Sequence, residues 1–250
     1  MIAPNMLGSF PNDMRAVIFG ASGGIGAALV EHLAASNNVA QIYAGSRNGA
    51  PHPSAKVTSF AFDLEDEASI AAAAQITRAD GPLNLVFIAT GILSNDMLKP
   101  EKSWTAQDPA AYAKAFAINT TGPAIIGRHF LPHLSRTDKS VFAALSARVG
   151  SISDNRLGGW HAYRASKAAL NMVVRNFALE LAYRNKAAIA VTLHPGTVAT
   201  NLSAPFQSGV AAQKLFTPQH SAAQMLAVIN GLGQEDSGGL FAWDGTKIPF

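Results

Sequence analysis

The chain has 250 residues, 48% of them apolar and 14% charged, with a formal net charge of +3. That apolar share supports a sizeable core, and the lack of cysteine excludes disulfides and thiol chemistry while agreeing with a reducing compartment. No block of like charges marks a nucleic-acid surface, no apolar run reaches the roughly 20 residues of a bilayer span, and no spacing makes a metal site.

Residues 1–13 lack the basic and apolar regions of a signal peptide and read as a loose tail or a short extension. The expectation is a soluble cytoplasmic protein whose residues 14–250 form a single domain. A strand at 15–19 ends in a glycine cluster, and a helix follows at 26–35. Strands at 39–44 and 57–61 precede an alanine-rich helix at 67–78. A buried-type strand at 84–88 precedes a long helix from about 109 to 129. A bend is expected near Gly122 and Pro123, because proline inside a helix removes a hydrogen bond. A strand at 140–145, a second long helix at 162–184, a strand at 189–193, a helix at 218–231 and a strand at 239–243 complete the chain. Strands alternating with helices imply right-handed crossovers. The expected fold is α/β, Rossmann-like and doubly wound: a seven-stranded parallel sheet with helices on both faces. Ligands then bind beyond the carboxyl ends of the strands.

Just past the first strand stands Gly20-Ala21-Ser22-Gly23-Gly24-Ile25-Gly26. A glycine-rich strand-to-helix turn lets backbone approach a pyrophosphate, and the helix start offers free N–H groups. The plainer reading, a flexible turn, is weakened by the amphipathic helix that the turn opens.

Tyr163-Arg164-Ala165-Ser166-Lys167 places Tyr163 and Lys167 four apart, on one helix face. A free phenol has a pKa near 10, and a neighbouring ammonium is expected to lower it toward a useful acid/base. Ser146 follows the strand at 140–145 and is placed to donate to a carbonyl oxygen that gains charge. Ser151 and Ser153 are alternatives further from the strand end. Residues 150–160 form the loop between Ser146 and Tyr163 and are expected beside the substrate.

The spacing of Gly20, Gly24 and Gly26, together with the Tyr163–Lys167 segment, resembles the short-chain dehydrogenase/reductase family, and the resemblance covers nearly the whole chain. It implies a nicotinamide cofactor and hydride transfer between a carbonyl and an alcohol, with Tyr163 as acid/base. It further implies that Asn119 interrupts its helix and joins a proton relay with Lys167. NAD-binding relatives carry an acid at the end of the second strand; here Ser46 stands there and Arg47 follows. A guanidinium clasps a 2′-phosphate where an acid would repel it, so NADP(H) is favoured over NAD(H). Gly23 stands where many NADP-binding relatives have a second basic residue, and dual use stays open. By the same resemblance Asp63-Leu64 meets the adenine, although Asp63 also reads as a helix N-cap. Ala89-Thr90-Gly91 lies along the ribose. Pro195, Gly196, Thr197, Val198 and Thr200 surround the carboxamide or a phosphate. His194 reads as structural.

Within the family the likeness is to the C-factor subgroup of cell–cell signalling enzymes, carried by 151–155, 163–171, 193–198 and 241–245. A non-catalytic NADP(H)-binding signalling or sensor protein is therefore the alternative. A lid is expected at about 199–216, with Leu202, Phe206, Val210, Leu215 and Phe216 walling a pocket for apolar or aromatic carbonyl compounds. The family's oligomers pair their two long helices, which implies a homodimer or homotetramer.

Overall fold

The computed structural model describes residues 7–95, 98–209 and 211–250. Its elements run β1 (Met14–Phe19), α1 (Gly24–Ala34), β2 (Val39–Ser46), β3 (Val57–Ala61), α2 (Glu67–Arg78), β4 (Leu85–Ile88), α3 (Pro109–Phe116), α4 (Gly122–Phe130), β5 (Ser140–Leu145), α5 (His161–Arg184), β6 (Ala188–His194), β7 (Thr197–Val198), β8 (Leu215–Phe216), α6 (Pro218–Gly231), β9 (Leu240–Ala242) and β10 (Lys247–Ile248). The main sheet has the order β10-β9-β6-β5-β4-β1-β2-β3. The seven expected strands are all parallel, from β3 at one edge to β9. The expected count is one short, because β10 adds antiparallel to β9. Two residues carry no periodicity, and this strand depends on a tight turn in which the Ala242 N–H donates to Thr246 O at 2.8 Å.

Burial explains the order. Every residue of β4 and β5 is buried, as in strands covered on both faces, whereas β3 alternates exposed and covered positions as an edge should. One core lies between the sheet and α1 with α6, the other between the sheet and α2, α4 and α5. Each large side chain fully buried there contributes about 1.5–3 kcal/mol. Helix starts are marked by their own residues. Asp66 caps α2 through the Ala68 N–H, Asp108 caps α3 through Ala110 N–H, and Pro109 and Pro218 open α3 and α6.

The described part of the N-terminal stretch is a packed extension. Leu7 and Phe10 join the α1–α6 core, and Lys139 Nζ donates to Ser9 Oγ at 3.0 Å and to the Asn230 and Leu232 carbonyls at 2.7 and 2.8 Å. Among the described residues no helix is long and apolar enough to cross a membrane.

The long helix from 109 is interrupted earlier than the proline alone implies. A π turn over Ala117–Thr121 separates α3 from α4, and Asn119 sits at its centre. Pro123 stands in the first turn of α4, where it has no interior hydrogen bond to break. The strand order reverses between β1 and β4, so their carboxyl ends open the crevice in which a ligand binds.

Candidate active site

The glycine turn occupies one side of that crevice. The Gly23 N–H closes the turn on Gly20 O at 3.0 Å, and Gly20 has φ +88°. A Cβ on Gly26 would stand 2.1 Å from Gly20 O, so no other residue lets α1 start this close to β1. Gly23 is the N-cap of α1 and has no side chain to satisfy the first N–H groups, which are left to the crevice. Ser22, Gly23 and Gly24 are exposed, Ile25 partly so. Thr200 lies across the turn, its Cγ2 2.8 Å from where a Gly24 Cβ would be.

At the end of β2, Ser46 is buried and engaged locally, donating to Asn48 Oδ1 at 3.0 Å and accepting from the Gly49 N–H at 3.1 Å. Arg47 beside it is exposed and, among the described residues, holds no hydrogen bond or ion pair. Asp63 is exposed and accepts from the Glu65 N–H at 2.9 Å; the cap of α2 is Asp66 rather than Asp63. Leu64 packs on Gly122, where a Cβ would meet Leu64 Cγ at 2.3 Å. Ala89 follows β4, and Thr90 Oγ1 is buried without a partner among the described residues.

Gly91 marks the convergence of both sides. A Cβ there would stand 3.4 Å from Asn119 Oδ1 and 3.5 Å from Lys167 Nζ. Asn119 is wholly buried. Its Oδ1 accepts from the Ile92 N–H at 2.8 Å, and its Nδ2 donates to Ile92 O at 2.8 Å and Ser166 Oγ at 3.1 Å. The π turn thus ties the exit of β4 to α5. Lys167 Nζ donates to Leu145 O at 2.8 Å, one residue before Ser146. Ser146 is buried and its Oγ has no partner among the described residues. Ser151 Oγ is instead occupied, accepting from the Asp154 N–H at 3.1 Å, and Ser153 is exposed.

Tyr163 projects from the first turn of α5, with Lys167 Nζ 5.9 Å from its ring centroid. Tyr163 keeps an edge open to solvent, yet its phenol is closely surrounded, and burial pushes it up to about 12. Burial also pulls the Lys167 ammonium down to about 7. The expected lowering of Tyr163 by Lys167 is therefore not what the site shows. Burial is the cause, and the lysine is itself buried and aimed at Leu145 O. At neutral pH Tyr163 is a protonated phenol, a proton donor.

Pro195 O accepts from Ser221 Oγ at 2.7 Å, and Gly196, with Val198 in β7, leads into the segment expected to be a lid. Thr197 is exposed and Thr200 partly covered. Burial and the nearby Arg148 pull His194 down to about 4, so its ring is neutral at pH 7. Of the expected lid residues, Phe206 packs at a tilt of 58° on Trp160 with centroids 5.0 Å apart, Leu202 Cδ1 lies 3.9 Å from the Gly91 Cβ position, and Phe216 packs on Trp243 at 4.6 Å. Val210 lies outside the described residues. The sequence reading missed Glu101, which is buried with its carboxylate facing the Ala162 N–H at 3.3 Å from each oxygen. A lone glutamate between a strand and a helix gives no signal; only the fold brings it to α5.

The short chain dehydrogenase family model matches residues 14–211. C-signal of Myxococcus xanthus is 38% identical over 143 residues, 57% of this chain and 81% of that protein. The 1-hydroxy-2-glutathionyl-2-methyl-3-butene dehydrogenase of Rhodococcus sp. (strain AD45) is 33% identical over 188 residues, 74% of this chain and 77% of that one. The NADPH-bound carbonyl reductase from chicken fatty liver superposes with a TM-score of 0.83 at 25% identity, covering 100% of this chain and 99% of the other. With its parallel sheet, glycine turn and Tyr163–Lys167 helix, this chain belongs to the short-chain dehydrogenase/reductase family of oxidoreductases.

Proposed function

We propose that the protein is an NADP(H)-dependent carbonyl reductase in which Tyr163 is the acid/base. The observation that carries this reading is Ser146: a buried hydroxyl without a partner, at a strand end whose last carbonyl holds Lys167. A buried orphan donor is costly unless a ligand satisfies it. A substrate carbonyl oxygen does so.

The residues fit the cofactor. The uncapped start of α1 and the Cβ-free surface of the glycine turn suit a pyrophosphate, Arg47 has its guanidinium free for a 2′-phosphate, and Gly91 lies beside Lys167 Nζ and Asn119. Ser22, Gly23, Gly24 and Ile25 would hold the phosphates and Asp63 the adenine. Ala89, Thr90 and Gly91 would lie along the ribose, with Pro195 to Val198 and Thr200 against the carboxamide side. When bound, NADP(H) supplies or accepts the hydride.

The chain's own groups do the rest. Ser146 Oγ–H and Tyr163 Oη–H donate to the substrate oxygen and stabilise the charge that develops there. Tyr163 releases its proton to that oxygen. Lys167 replenishes it, and Asn119 holds Lys167's surroundings in register through Ile92 and Ser166. The lid, residues 199–216 of one domain spanning 14–250, closes over the substrate.

NADPH oxidation followed against ketones, aldehydes and quinones, with NADH as control, tests the reading. Turnover that prefers NADPH and falls about 10³-fold in Tyr163→Phe, with NADPH affinity kept, is the expected result. Tight NADPH binding with no turnover would favour the signalling alternative that the likeness to C-signal raises. Met172, Leu179 and Tyr183 expose large apolar surface along α5, which supports self-association through this helix. Light scattering at micromolar concentration should give a dimer or tetramer.

A further inference from the structure

Three consecutive residues lead into α5 in the left-handed region: Gly158 at φ +63°, Gly159 at φ +67° and Trp160 at φ +51°, ψ +44°. Trp160 is the one such residue with a Cβ among those described. A side chain is disfavoured there by contact with the following carbonyl, and for a bulky residue the conformation is a true outlier. Glycine would hold the same turn without strain.

The surroundings force the conformation. The Trp160 N–H donates to Glu101 O at 2.5 Å, and the Glu101 carboxylate faces the Ala162 N–H in the helix's first turn. From the other side the Arg164 N–H donates to Trp160 O at 2.8 Å, while its guanidinium donates to Gly159 O at 3.0 Å and Val149 O at 3.3 Å. Strain that is so firmly held is characteristic of functional sites. The strained backbone delivers the indole between the acid/base and the lid, edge-on to the Tyr163 ring at 6.3 Å and 74° and 5.0 Å from Phe206.

We propose that Trp160, held by Glu101, is the specificity-determining wall of the substrate site, and that it selects flat aromatic carbonyl compounds over small aliphatic ones. The proposal rests on Tyr163 and Ser146 fixing the position of the carbonyl oxygen. A substituent on that carbonyl then lies against the indole and Phe206, where a flat apolar group stacks and a short chain leaves the rings unused.

The test uses menadione as the flat probe and propanal as the small one. Menadione binding to the NADP⁺ form, where it cannot be reduced, is measured by calorimetry. Trp160→Gly and Trp160→Asn keep residues that tolerate the left-handed backbone and remove the ring. Both should bind menadione at least about 10-fold more weakly, with NADP⁺ affinity unchanged, and Trp160→Phe should bind as wild type does. With NADPH, the ratio of kcat/KM for menadione over propanal should fall by a similar factor, mainly through the KM for menadione. Failure of wild type to bind menadione, unchanged binding in the ring-less variants, or equal losses for both substrates would overturn the proposal. Turnover that survives Tyr163→Phe while the Trp160 contrast holds would instead overturn the acid/base reading alone.

Discussion

On the glycine-turn side of the crevice, each group is set by the end of a regular element. Gly20 follows β1, Ser46 ends β2 with Arg47 just after it, Ala89 follows β4, and Gly23 caps α1. Opposite, the wall is assembled from pieces far apart in the chain. Glu101 holds Trp160, Trp160 meets Phe206 of the lid, and the Ser153 N–H donates to the Phe250 carbonyl at 3.2 Å. The first wall is backbone geometry that any nucleotide-binding chain of this topology must reproduce. The second is side-chain packing between loops, free to vary without disturbing the sheet. On the proposed reading, cofactor recognition is local and substrate choice is a long-range property of the fold.

The sharpest break of this contrast is Ser146→Ala. It removes one donor from the substrate wall and touches nothing on the cofactor wall. We expect kcat/KM to fall about 10²- to 10³-fold, with NADPH affinity, read by fluorescence titration, within about twofold of wild type. A matching loss of NADPH affinity would mean that the two walls are not separable.

The same contrast governs what could be read from the sequence. The spans at 57–61, 67–78, 140–145 and 218–231 coincide with β3, α2, β5 and α6, because edge alternation, burial on both faces or a clear cap leaves its mark in residue order. The glycine turn and the Tyr163–Lys167 face were legible for the same reason. The interruption at Asn119 was implied by the family resemblance, and the structure gives it the form of a π turn tied to Ile92 and Ser166 by the Asn119 side chain. Two features were not legible. β10 exists only through its pairing with β9. The left-handed Trp160 is imposed by Glu101 and Arg164, against the preference of a tryptophan. Leu7 and Phe10 did carry an apolar hint, but only the groove beside α6 shows where it is spent.

On the cofactor wall the corresponding change is Arg47→Ala. The guanidinium is exposed and has no partner among the described residues, so removing it leaves the fold undisturbed. Loss of charge-assisted bonds to a 2′-phosphate should weaken NADPH about 10- to 100-fold while NADH is unaffected. Equal affinities for the two cofactors before and after the change would show that Arg47 is only a solvated turn residue.

Lys167 belongs to both walls, and its burial makes a smaller, testable mark on stability. Its ammonium is pulled from 10.5 to about 7 in the folded protein, with burial as the cause. Between those values the unfolded chain binds the proton that the folded chain has lost, so folding gains stability as pH rises through this window. Below about 7 both forms are protonated and the penalty is complete; above 10.5 it has gone. Tyr163 acts in the opposite sense, but only higher, since its phenol is pushed from 10.0 to about 12 and stability falls as pH rises between those values. From pH 7 to 9.5 the lysine's contribution therefore stands apart from the tyrosine's. The cofactor-free protein should gain several degrees in Tm over that range, since about 1 kcal/mol moves Tm by about 2–4 °C at this size. Lys167→Met, which keeps an unbranched chain without the charge, should flatten that rise and raise Tm at pH 7. If the pH slope of Lys167→Met matches wild type, the ammonium is solvated in the free protein. The junction between the two walls would then be open to water rather than closed around Leu145 O.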